Sequence, residues 1–174
     1  MASVPTYAGD GPRAIYVAST QAGQALSLAL STTQTGLTLT NPFGSGKTLV
    51  ILQIRGCFST APAGVSTILL AANVNPIATA VTQTTPLTVR RANLGVSGIG
   101  VGLAASAVTL PAAPVVVRAL GGVNATGSTT PNQIVDDVNG AIQVAPGCAV
   151  SINTLTTAIS GIWSIVWEEI DEIA

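Results

Sequence analysis

The chain is most constrained by residues 37–59, LTLTNPFGSGKTLVILQIRGCFS, where two apolar runs flank Pro42, Gly44 and Gly46. Leu37 and Leu39 alternate with Thr38 and Thr40, the period of a half-buried strand. Leu49, Val50, Ile51, Leu52 and Ile54 then form a near-continuous run, which reads as a strand covered on both faces. Pro42 has no backbone N–H and the glycines reach positive φ, so neither strand continues through the turn. The segment reads as strand, turn, strand.

Its turn carries the lettering of a phosphate-binding loop, Gly44-Ser45-Gly46-Lys47-Thr48. That motif needs a glycine at position 41 and a helix after Thr48, so that backbone N–H groups and the helix dipole face the phosphates. Position 41 is Asn41, and Thr48 leads into the β-branched run LVILQI. Nucleotide binding is set aside, and Lys47 reads as a solvated charge at a strand start.

The same alternation recurs along the chain. Residues 14–18 (AIYVA), 24–30 (with Leu26, Leu28 and Leu30 in phase), 66–72 (STILLAA), 114–118 (PVVVR) and 148–157 all read as strands. Residues 79–85 and 87–90 read as one extended segment interrupted by Pro86, and 108–110 as a short strand. Residues 93–106 are glycine-rich and read as an irregular surface excursion, and 121–131 as a long loop. That loop holds Asn124-Ala125-Thr126, a glycosylation sequon in spelling. Asn139-Gly140, between 134–138 and 141–144, is the strongest hairpin signal present. In the last strand, 162–170, Trp163, Ile165 and Trp167 share one face, and Ile162, Ser164, Val166, Glu168 and Ile170 the other. No amphipathic helix of three turns and no fixed-period repeat is found. Strands at intervals of about ten residues with turn signals between them point to a sandwich or barrel. The expected fold is all-β, a jelly-roll-like antiparallel β-sandwich at 14–174 preceded by a short extended N-terminal arm at 1–13. The jelly-roll choice allows the first and last strands to be neighbours.

Composition narrows function. Only 7% of residues are charged, against about a quarter in ordinary globular domains, while Ser and Thr supply 35 of 174. Such a surface gains little from charge repulsion, and the reading is that other chains bury much of it. A net charge of −1 gives no drive toward nucleic acid or acidic lipid. Arg90 and Arg91 read as solvated ends of a strand. The absence of histidine removes the usual general base, the Ser–His and Cys–His pairs and the commonest transition-metal ligand. Cys57 and Cys148 read as small buried hydrophobes, with a disulfide left open. The apolar stretch 99–117 contains Gly100, Gly102, Pro111 and Pro114, which suit loops and short strands better than a membrane helix. The first thirteen residues lack the basic and apolar regions of a signal peptide.

Four of seven acidic residues are Glu168, Glu169, Asp171 and Glu172. They read as charges that stop a terminal edge strand from pairing with other chains, a basic partner patch being the alternative. Asp136 and Asp137 would point to opposite faces of a strand and read as a solvated shoulder rather than a shared metal site. No catalytic, cofactor-binding or metal-ligating residue is nominated, and an enzyme is the least favoured class.

The turn at 41–54, NPFGSGKTLVILQI, resembles one in structural proteins of tailed bacteriophages, where an NP.GSGK turn precedes a hydrophobic strand. Residues 146–158 (PGCAVSINTLTTA) and 164–171 (SIVWEEID) resemble the ending of such virion proteins. The resemblance implies a β-sandwich virion component of the capsid decoration or cement type, often a homotrimer. Such a protein binds the major capsid protein lattice on the capsid exterior and is assembled in the host cytoplasm, with no nucleic acid, membrane or small-molecule substrate as partner. A tail, neck or fibre-tip protein, host-binding ones included, is the alternative within virions. A carbohydrate-binding sandwich module is the alternative of another class, and it would need exposed Trp or Tyr platforms.

Overall fold

The structure, a computed structural model, describes residues 14–74, 76–95, 98–123 and 133–172. The expected arm at 1–13, the sequon and most of the 121–131 loop lie outside them. The strands, in chain order, are β1 (Ile15–Ser19), β2 (Gln24–Ala25), β3 (Thr33–Thr40), β4 (Lys47–Phe58), β5 (Ser66–Asn73), β6 (Thr82–Leu87) and β7 (Arg90–Arg91). They continue as β8 (Leu103–Thr109), β9 (Val115–Val123), β10 (Gln133–Asp136), β11 (Ile142–Val144), β12 (Ala149–Thr154) and β13 (Ser160–Asp171). No helix occurs among the described residues.

The strands form two antiparallel sheets. One runs β10–β4–β13–β1–β7, with β11 also pairing β4 and β2 pairing β13; the other runs β6–β8–β3–β12–β5–β9. The first and last strands are neighbours, in register from Ile15 opposite Glu168 to Ser19 opposite Ser164. Between the sheets lies one core, in which Leu49, Ile51, Trp163 and Trp167 of the first sheet meet Leu37, Leu39, Leu70 and Ile152 of the second. This is a β-sandwich.

Three ladders show how the sequence sets the geometry. Strand β4 is buried on one face only: Leu49, Ile51 and Ile54 are inside, whereas Val50 and Leu52 are half-buried. Its unbroken apolar run suggests two covered faces, and a β-bulge is what accounts for the run instead. Val166 pairs Gln53 and Trp167 pairs Ile51, which leaves Leu52 as the extra residue, so the inward phase skips from Ile51 to Ile54. In β3 the register slips between Thr35 and Thr38. Gly36 has φ 109° there, and a Cβ on it would meet the Ile152 carbonyl oxygen at 2.9 Å, so only glycine fits.

The third ladder corrects the hairpin. Asn139 (φ 51°) and Gly140 (φ 82°) both lie left-handed and Ala141 N–H donates to Val138 at 3.0 Å, which is the backbone of a primed turn. Yet β10 and β11 do not pair with each other. Both run antiparallel to β4, Asp136 opposite Ile54 and Ile142 opposite Ile51. The turn is therefore an outward loop within one interrupted strand. Its Asn139 and Gly140 N–H groups donate to Leu52 and Ile51 of β4 at 2.9 and 2.8 Å, and these bonds override the hairpin preference.

Other boundaries also move. The Leu26–Leu28–Leu30 alternation does not form one strand: Leu26 is buried but Leu28 is 46% exposed. Here the chain crosses between sheets, Leu26 N–H donating to Ile159 and Ser27 N–H to Thr35. Strand β6 runs through Pro86 because it is an edge strand, where a missing N–H costs no ladder bond. Strand β8 begins at Leu103, inside the stretch expected to be irregular, with Ala104 and Ala105 buried. Strand β9 extends to Val123, beyond the expected end at Arg118.

Candidate functional site

The phosphate-loop lettering folds as a strand-to-strand turn. Gly44 and Gly46 have φ of 72° and 67°, and Lys47 opens β4 opposite Asp171 of β13. Lys47 Nζ is paired with the Asp171 carboxylate, whose hydrogen bond and charge raise the lysine pKa. Asn41, the residue that departs from the motif, organises the turn. Fully buried, it donates through Nδ2 to the Lys47 carbonyl at 2.7 Å and the Val144 carbonyl at 2.8 Å, and accepts from Ser45 Oγ at 2.6 Å. Its own N–H and carbonyl bond Cys148 and Gly147. Every polar group of Asn41 is satisfied, as burial demands.

The acidic cluster is not an edge guard. Strand β13 lies between β4 and β1 in the middle of its sheet, and Glu168 and Glu169 are buried. Glu169 points inward with the tryptophans. Its carboxylate accepts from Val101 N–H at 3.0 Å, Gly102 N–H at 2.9 Å and Trp167 Nε1–H at 3.2 Å. A Cβ on Gly100 would collide with Glu169 Oε1, so the glycines of 98–102 let the backbone close over the carboxylate. Tyr16 stacks on Trp167 at 6.0 Å, and the Arg91 guanidinium lies 5.8 Å from the Tyr16 ring centre. Arg91 is thus a packed cation rather than a solvated end, while Arg90 is exposed. These residues close the flank where the chain passes from β7 to β8.

The opposite flank is built differently. Asp136 of β10 is not solvated: its side chain is 13% exposed and receives two bonds from Arg118 of β9, at 2.7 and 2.8 Å. The pair joins the two sheets, and the bonds hold Arg118 more firmly protonated than usual. Asp137 accepts from Gln53 at 2.5 Å. Beside this clasp the sheets leave a cleft of about 210 Å³, lined by Ala72, Asn73, Val117, Ile142, Val144 and Cys148 among others. Strand β9 borders it as the outer strand of its sheet, with Val115, Val116 and Val117 exposed by 50, 46 and 42%. Register slips leave Val117 and Leu120 as extra residues opposite β5.

Both cysteines are free. Cys148 is buried, which pushes its thiol pKa up; Cys57 is exposed because it occupies an outward position of β4, contrary to the burial expected of both. Trp163 and Trp167 are 1% and 0% exposed. Trp163 lies against Gly56, where a Cβ would run into its ring, and donates Nε1–H to the Gln24 carbonyl at 3.2 Å. Neither tryptophan offers a stacking face to a sugar. Among the described residues no cluster of three metal-ligating side chains is present, and no helix is long and apolar enough to cross a membrane. Apolar surface is exposed at the flank of β9 and β11, and also at a second cleft of about 170 Å³ where Phe43 of the turn lies near Ile77 and Leu103.

No family model, curated protein or solved structure matches this chain.

Proposed function

We propose that this chain is a non-enzymatic virion structural protein, a homotrimeric decoration or cement protein that binds the major capsid protein lattice of a tailed phage. The observation that carries the reading is the contrast between inside and outside. The core closes on itself with both tryptophans buried, yet an edge strand presents three consecutive valines to solvent. An exposed apolar edge of this kind marks an interaction surface. A chain with 13 charged residues in 174 suits permanent neighbours, since obligate interfaces resemble a core cut in half. Three subunits would multiply a modest lattice contact through effective concentration. The NP.GSGK-like turn gains a physical role, because Asn41 and the two positive-φ glycines are what its geometry requires. The jelly-roll form of the sandwich belongs to the same proposal, supported by the chain crossing between sheets at β3–β4–β5 and β11–β12–β13.

Mixing the folded protein with expanded, undecorated phage heads and sedimenting them tests the reading. We expect the protein to pellet with the heads and to saturate at a fixed stoichiometry. A well-folded protein that stays in the supernatant would overturn it.

A further inference from the structure

We propose that Asn139-Gly140 is a latent deamidation site. The Asn139 side chain is converted to a carboxylate through a cyclic imide, and bonds to β4 hold the reaction back until the edge formed by β10 and β11 opens. The co-reactant is water, and no enzyme is required.

Eight asparagines occur in the chain, and Asn139 alone is followed by glycine. That neighbour decides the chemistry. Gly140 N gives its proton to hydroxide and attacks Asn139 Cγ; the N–Cγ bond forms, the Cγ–Nδ2 bond breaks, and ammonia leaves. Water then opens the imide. Attack at Cγ breaks the new bond and gives aspartate, whereas attack at the main-chain carbonyl breaks the original peptide bond and gives isoaspartate. In sum an amide and water become a carboxylate and ammonium, with no change of oxidation state. A side chain on the following residue would crowd the attacking nitrogen, and glycine has none. Asn139 is exposed, so water reaches it.

The fold opposes each part of this step. Gly140 N–H donates to the Ile51 carbonyl at 2.8 Å, so the proton that must leave is engaged and the nitrogen faces β4. Asn139 N–H donates to the Leu52 carbonyl at 2.9 Å, and Asn139 Nδ2 donates back to the Asp137 carbonyl at 3.2 Å. With φ of 51° and 82° the two residues hold the primed turn, and closing the imide ring requires Asn139 to rotate out of it. Val50 of β4 crowds the same place, its Cγ1 lying 3.1 Å from where a Cβ on Gly140 would be. The restraints on the attacking nitrogen thus belong to β4. Among the described strands, β10 and β11, which flank the loop, pair with β4 alone. Strands bonded on one side only open more readily than central ones. Conversion therefore marks chains whose edge has left β4.

Incubating the full chain, folded and in denaturant, in the same mildly alkaline buffer tests this. Peptide mapping follows residue 139 by the mass gained when NH₂ is replaced by OH, and labelling with an isoaspartate methyltransferase separates isoaspartate from aspartate. In the unfolded chain we expect Asn139 to convert ahead of the other asparagines. In the folded chain it should convert about 10-fold more slowly or less, in proportion to the time the edge stands open. Val144→Ala removes a buried side chain of β11 and should raise the folded-state rate several-fold without changing the unfolded rate. Ile142→Ala, at a half-buried position of the same strand, takes its place should that variant not fold. Val108→Ala, a like loss from β8 of the other sheet, should raise the rate less. Equal rates for the folded and unfolded parent would overturn the proposal, because β4 would then be no brake. So would an unfolded chain in which Asn139 is no faster than the other asparagines. A β11 variant that reacts no faster than the parent, or no faster than Val108→Ala, would also overturn it, by separating the reaction from this edge.

Discussion

The two flanks of the sandwich solve the same problem in opposite ways. Where β7 passes to β8, the opening between the sheets is filled by the chain itself: Glu169 binds two backbone N–H groups and an indole, and Arg91, Tyr16 and Trp167 pile beside it. Where β9 faces β10 and β11, the Arg118–Asp136 pair lies beside the buried Val123 and Ile134, and an apolar cleft is left. A flank closed by a buried carboxylate with three hydrogen bonds and by packed aromatic rings contributes to folding. On the other flank the partly exposed ion pair contributes little to folding, and the cleft beside it leaves apolar surface open. Substitutions on the two sides should therefore separate stability from association.

The largest effect should come from Trp167→Ala. The side chain is wholly buried, stacks on Tyr16 and bonds Glu169, so its removal leaves a cavity and an underused carboxylate. We expect a loss of about 3–5 kcal/mol, read as a lower denaturant midpoint. Next is Glu169→Gln, which is nearly isosteric but turns an amide NH₂ toward groups that are themselves donors. About 1–3 kcal/mol is expected, whereas Glu172→Gln should change nothing measurable. Equal midpoints for the two glutamate variants would remove the distinction drawn for the closed flank.

Much of the closed flank was legible in the sequence. The period-two spacing put Trp163, Ile165 and Trp167 on one face, and they are the core. Counting on by two from Trp167 reaches Glu169, so the signal for an inward carboxylate was present. It was masked by the run Glu168-Glu169-Ile170-Asp171-Glu172, which reads as solvated charge when β13 is taken as an edge. Its place between β4 and β1 depends on pairing across more than a hundred residues, which no local pattern carries. Asn139-Gly140 teaches the complement. Its left-handed backbone was legible because only such residues tolerate it, but whether that backbone reverses a strand or loops out of one was decided by the carbonyls of Ile51 and Leu52. The open flank was least legible: bulges at Val117 and Leu120 break the alternation, and the Arg118–Asp136 pair joins strands of different sheets.

On that open flank we expect Arg118→Gln to move the denaturant midpoint little, far less than either closed-flank variant, because the guanidinium is partly exposed and such pairs are weak in water. Its larger effect should be on association, since the clasp fixes the separation of β9 and β10 beside the cleft. A loss comparable to that of Trp167→Ala would mean that this flank also carries the fold.

The smallest effect concerns Cys148, which lines the cleft but is buried within its own chain. Burial raises its thiol pKa above the unfolded value, so the folded state holds its proton at pH values where the unfolded chain has lost it. The stabilisation from the neutral thiol is then complete below the unfolded pKa and is lost as pH rises through the folded one. Stability should fall on the alkaline side from the ordinary thiol range upward, and Cys148→Ala should flatten that slope. If the cleft is covered by a neighbouring copy, alkylation of Cys148 should also slow as concentration rises while that of Cys57 does not. A Cys148 that reacts at one rate in dilute and concentrated solution would mean that the open flank stays open.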